Sequence, residues 1–131
     1  MGEPLMDQYA KISAYDVHSF QVRCTMGAGT AMTYRSRDAI PTRPSATTLT
    51  VTFPKPYAEV VGFTAARFAA AGVAGLEWIL TTITTDSNGG ITALTFTSIV
   101  TGGTATASAA SDVVYLDIKM SCDTLNDRFT G

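Results

Sequence analysis

The sequence predicts an all-β protein, an antiparallel β-sandwich or small barrel of about seven strands with an extended N-terminal arm. Three observations carry that expectation. Apolar and polar residues alternate with period two over much of residues 20–122, as half-buried strands require. Turns rich in Gly, Pro, Asn and Asp separate the alternating runs. The polar share is dominated by 21 threonines in 131 residues, and the β-branched Thr suits outward strand positions.

Residues 1–19 show no clean period, and Pro4 interrupts their start, so they read as an arm leading into a single β-domain over 20–131. Phe20, Val22 and Cys24 then alternate with Gln21, Arg23 and Thr25 as a half-buried strand. The glycines of 26–30 give a turn, and 31–35 return as a partner strand. Residues 36–46 are polar and hold Pro41 and Pro44, which reads as a loop. Residues 47–53 form the clearest strand, with Leu49, Val51 and Phe53 on one face and Thr48, Thr50 and Thr52 on the other. Pro54 and Pro56 are expected to stop it, because neither can donate to a ladder.

Residues 57–68 follow with Val60, Val61 and Phe63. Ala-rich 65–74 has some helix propensity, but Gly72 and Gly75 interrupt it, so strand then loop is preferred. Residues 76–84 are apolar on both faces, with Leu76, Trp78 and Leu80 opposed to Ile79 and Ile83. Burial on both sides implies a central strand or a contact with a neighbouring subunit. Asp86 to Gly90 is a strong hairpin turn into a strand over 91–100. Residues 101–111 hold only Thr, Gly, Ala and Ser and read as a flexible linker or long loop tip. The last strand, 113–122, puts Val114, Leu116, Ile118, Met120 and Cys122 on one face. The longer connections are expected to cross between sheets, and a jelly-roll-like arrangement is one way to satisfy them.

Composition narrows function by exclusion. The chain is 46% hydrophobic and only 15% charged, with a net charge of −2, against roughly 25% charged in ordinary domains. Such a chain is not disordered, and it lacks the positive excess that phosphate neutralisation of nucleic acid needs. No run of about 18 apolar residues is present to span a membrane. Residues 1–8 carry Glu3 and Asp7 and no basic segment before an apolar run, so no secretory signal is expected. Cys24 and Cys122 are then expected to be free thiols in a reducing cytosol. A neutral Thr-rich surface repels like molecules weakly and suits a protein packed among neighbours, although Thr is also an ordinary outward residue of strands.

Candidate chemistry is sparse, and no enzyme activity or cofactor is expected. The set Cys24, Trp78 and Cys122 suggests an immunoglobulin core, but the Trp falls far too late after the first Cys. Both cysteines lie in the apolar phase of their strands and read as buried small hydrophobes. His18 is the only histidine, which leaves a zinc site or a His-based triad without support. Asp86 to Asn88 resembles the start of a calcium loop, but no acidic residue closes it. Glu59 and Glu77, the only glutamates beyond the entry segment, could form a carboxylate pair for glycosidic chemistry, but nothing in the sequence brings them together.

Two groups of residues suit a partner instead. Arg35, Arg37 and Arg43 surround the proline loop and could clamp a partner's carboxylates, unless the loop is simply solvated. Leu5, Tyr9, Ile12, Tyr15 and Phe20 give the arm apolar anchors that would dock on a neighbour or fold back on their own domain. A different reading uses Trp78, Tyr57 and Tyr115 as stacking platforms for host-surface carbohydrate.

The Thr-rich strand 47–53 running into Pro54-Lys-Pro-Tyr57 and on to Gly62, the 81–90 hairpin and the small-residue loop at 101–111 resemble the small β-rich virion proteins of tailed bacteriophages. The resemblance is greatest to capsid cement or decoration proteins, and it is one of style over roughly 45–122. It implies a homotrimer or other homo-oligomer seated on the capsid surface of a virion, assembled in the host cytoplasm. Its partner would be the major capsid protein, with no nucleic acid, no membrane and no catalytic residues.

Overall fold

The computed structural model describes residues 17–69, 75–100 and 102–122. Eight antiparallel strands form two four-stranded sheets packed as a β-sandwich, with no helix among the described residues. The strands are β1 (Val17–Met26), β2 (Met32–Ser36), β3 (Ile40–Ser45), β4 (Thr48–Tyr57), β5 (Glu59–Phe68), β6 (Glu77–Thr85), β7 (Ile91–Ile99) and β8 (Val113–Ser121). Sheet I has the order β2-β1-β8-β5 and sheet II the order β3-β4-β7-β6.

Alternation decides which side chains meet between the sheets. Phe20, Val22, Cys24 and Met26 of β1 and Val114, Leu116, Ile118 and Met120 of β8 face Leu49, Val51 and Phe53 of β4 and Leu94 and Phe96 of β7. At one end Phe20, Phe53 and Tyr57 form an aromatic cluster with ring centroids 5.0–5.7 Å apart. Such tilted and edge-on pairs add to the area they bury. His18 is half-buried and hydrogen-bonds through Nδ1 to the Tyr57 hydroxyl at 2.7 Å.

Four strand expectations change. Residues 40–45 form a strand, not a loop. Its prolines are tolerated because β3 is the edge of sheet II and has one side free of ladder bonds. β4 continues through Pro54 and Pro56 to Tyr57, because its pairing with β7 is irregular between Thr52 and Tyr57, where a missing N–H costs little. β1 begins at Val17, so residues 17–19 belong to sheet I and not to an arm. β6 is an edge strand, which removes the central-strand explanation for its two apolar faces.

The 86–90 hairpin forms as its composition requires. Asp86 Oδ1 accepts the amides of Asn88 at 2.9 Å and Gly90 at 2.8 Å, and Gly89 takes φ +83°. The small-residue segment is no flexible tip over its described part, 102–111. Thr106 donates its amide to Ser98 O, Ile99 bridges to Ala105, and Ser111, at φ 72°, donates to Met26 O at 2.7 Å. Its anchor is Asp112, which has no exposed surface. Asp112 Oδ2 accepts from Arg67 Nε at 2.9 Å, Ser108 Oγ at 2.7 Å and the Ala109 amide at 3.1 Å.

Candidate interaction site

The lateral margins of the sandwich differ. Along one, β2 lies over β3, and along the other, β5 lies over β6. An edge strand exposes unpaired N–H and C=O groups, and proteins blunt such edges with short strands, proline or charge. The first margin has all three: β2 spans five residues and carries Arg35, and β3 carries Pro41 and Pro44. The second has less. β5 and β6 carry Glu59 and Glu77 and register shifts at Val60/Gly62, Leu80/Thr82 and Thr84/Thr85, but they span ten and nine residues without Lys or Pro. Arg67 of β5 turns inward to Asp112 and gives the edge no charge.

Exposed apolar residues collect on the same margin. Of eight exposed large apolar and aromatic side chains among the described residues, Val61, Phe63, Phe68, Ile79 and Ile83 lie on β5 or β6. Phe63 points between the sheets and meets Phe96 edge-on at 5.1 Å, yet stays one-third exposed because no further strand covers it. Ile83 pairs with Leu94 and is 48% exposed for the same reason. Apolar side chains beside an unpaired ladder make a surface that another strand can extend.

The structure separates the residues singled out from the sequence. Leu5, Tyr9, Ile12 and Tyr15 lie outside the described residues. Phe20 is buried in the core and anchors its own domain. Arg43 is also internal. Its Nη1 donates to Gly27 O and Ala31 O at 3.0 and 2.9 Å, and its Nη2 donates to Ala46 O at 3.0 Å. It therefore ties β3 to the β1–β2 turn and is closed to a partner's carboxylate, and burial lowers its pKa. Arg35 and Arg37 are exposed.

The aromatic platform does not assemble. Trp78 and Tyr57 are buried, and only Tyr115 is open to solvent. Glu59 and Glu77 start strands of different sheets at opposite ends of the sandwich, since Glu59 pairs with Ser121 beside Val17 and Glu77 pairs with Ile99. Both cysteines are free thiols: Cys24 is fully buried and its pKa is pushed up to about 12 by that burial, while Cys122 is half-buried. Among the described residues no cluster of His, Cys, Asp or Glu converges to hold a metal.

Sequence reasoning missed Arg23. The register sets it opposite Arg35 on one side and Tyr115 on the other, which residue spacing alone does not reveal. Comparison with models of known protein families, with curated proteins and with solved structures finds no match to this chain.

Proposed function

We propose that this protein is a structural component of a virion that binds and stabilises a bacteriophage capsid through protein–protein contacts, as a cement or decoration protein does. The observation that carries the reading is the open β5/β6 margin, where two long edge strands stand beside five exposed apolar side chains. Water is a poor final environment for that surface, because apolar area and unpaired backbone both gain when another strand covers them. The opposite margin is short and proline-bearing, which favours association through the β5/β6 side of the molecule. Repeated over many copies, modest contacts of this kind add up by avidity. The low charge and the Thr-lined outer face of sheet II suit close packing among neighbours.

Light scattering of the purified protein, followed by co-sedimentation with capsids lacking it, tests the reading. The expected result is an oligomer that pellets with capsids. Ile79→Lys, which puts a charge on the solvent face of the exposed margin opposite Thr97, should reduce oligomerisation and co-sedimentation while leaving thermal unfolding nearly unchanged. A monomer that ignores capsids overturns the proposal.

A further inference from the structure

The outer face of sheet I carries a polar groove distinct from the β5/β6 margin. Register builds it in rows across four strands. Arg35 of β2, Arg23 of β1, Tyr115 of β8 and Ala66 of β5 stand side by side, and the next row sets Gln21, Asp117 and Thr64 beside one another. These side chains line an open depression of about 330 Å³, floored by the backbone of Val22 and Leu116.

Its electrostatics are unusual for a bare sheet surface. Two arginines stand directly opposite each other on adjacent strands, a like-charge placement that destabilises a sheet unless an anion offsets it. Among the described residues neither Arg23 nor Arg35 has a carboxylate within ion-pair distance. Arg23 is held over the Tyr115 ring, its Cζ 5.8 Å from the ring centroid, and the ring is still 45% exposed. Asp117, in the next row, takes Lys119 Nζ at 3.2 Å.

We infer that this groove binds a sugar acid, one pyranose ring bearing a carboxylate. The carboxylate docks between Arg23 and Arg35, whose planar forks match its two oxygens, and so removes the repulsion between them. The ring lies along Tyr115 over the small side chains of Thr64 and Ala66. Its hydroxyl groups meet the Gln21 amide and the Asp117 carboxylate. The volume is at the low end for ligand pockets and suits a single ring. An acidic peptide fits less well, because Asp117 opposes a second negative charge but accepts hydroxyl donors. Free phosphate would leave Tyr115, Gln21 and Asp117 without a role. The inference stands independently of the capsid reading.

Amide chemical-shift titrations of the full-length protein with D-glucuronate and N-acetylneuraminate, beside D-glucose and acetate, test it. At least one sugar acid should move the amides of the Arg23 and Gln21 rows with millimolar affinity. Glucose and acetate should bind at least ~10-fold more weakly, because each carries half of the recognised chemistry. Arg35→Gln, at an exposed position, should weaken sugar-acid binding by ~10-fold or more while the unfolding midpoint holds. Silence with both sugar acids overturns the inference, as does full binding by Arg35→Gln. Acetate binding as tightly as the sugar acids leaves only a carboxylate site and also overturns it. A monomer that ignores capsids yet binds glucuronate would sink the capsid reading and leave this one standing.

Discussion

Asp112→Ala removes the carboxylate that fastens the 102–111 segment to sheet I. With it go the ion pair to Arg67 at 2.9 Å and the acceptor for Ser108 Oγ and the Ala109 amide. The two charged side chains are 7% and 0% exposed, so solvent screens the pair little. Removing one member of a buried pair costs about 3–5 kcal/mol, mostly because the remaining charge stays desolvated. Against a total stability of about 5–15 kcal/mol, that is a large share. We expect a loss of about 3–4 kcal/mol, toward the lower end because the neighbouring loop can open to admit water to Arg67. Guanidinium unfolding followed by fluorescence of the buried Trp78 measures it. Amide exchange at Ser111, whose N–H bonds Met26 O, should accelerate in step. The double variant Arg67→Met/Asp112→Asn should lose about 2 kcal/mol less than the sum of its single changes, because the stranded charge is then absent. An Asp112→Ala loss under about 1 kcal/mol, or strict additivity in the cycle, refutes the assigned role.

Three further outcomes follow from the packing. Arg43→Lys should cost about 1–3 kcal/mol in the same unfolding assay, since one ammonium cannot reach the carbonyls of Gly27, Ala31 and Ala46 together. Gly90→Ala should cost about 1–3 kcal/mol because its Cβ would sit 2.6 Å from Pro56 Cβ, whereas Gly62→Ala, with open space around it, should be near neutral by calorimetry. Cys24 should resist iodoacetamide at pH 8.5 while Cys122 labels first, as mass spectrometry can read out. Because folding raises the Cys24 pKa from 9.0 to about 12, the unfolded chain loses that proton first. Stability should then fall by up to about 1.4 kcal/mol per unit as pH rises above about 9, and Cys24→Ala should remove that slope.

The strands were legible where a sheet buries one face and leaves the other wet. β1, β4, β7 and β8 alternate cleanly because the core asks for an apolar residue at every second position, and the 86–90 turn announces itself through Asp86 and two glycines. Edges were harder to read. Pro41 and Pro44 mark a loop by local rules and a strand only once β4 supplies a partner on one side. The 101–111 composition carries no periodic signal, since the order of 102–111 comes from the buried carboxylate of Asp112 and from backbone bonds to β1 and β7. One clue was present: Arg67 lies in the apolar phase of β5, aligned with Phe63 and Ala65, and a charge there calls for a buried counter-charge. The groove on sheet I was invisible because it depends on which strands become neighbours. Arg23 and Arg35 are 12 positions apart in sequence and directly opposite in space.

The start of β1 and the end of β8 are hydrogen-bonded neighbours, with Val17 paired to Ser121. That pairing gives the sandwich a mechanical character. Tension applied between these two points acts across the antiparallel ladder at its end, so bonds open one pair at a time, as in a zipper. A load pressing on the sheet faces is instead spread over the interdigitated core. The sandwich should therefore resist compression of its faces better than a pull between Val17 and Ser121.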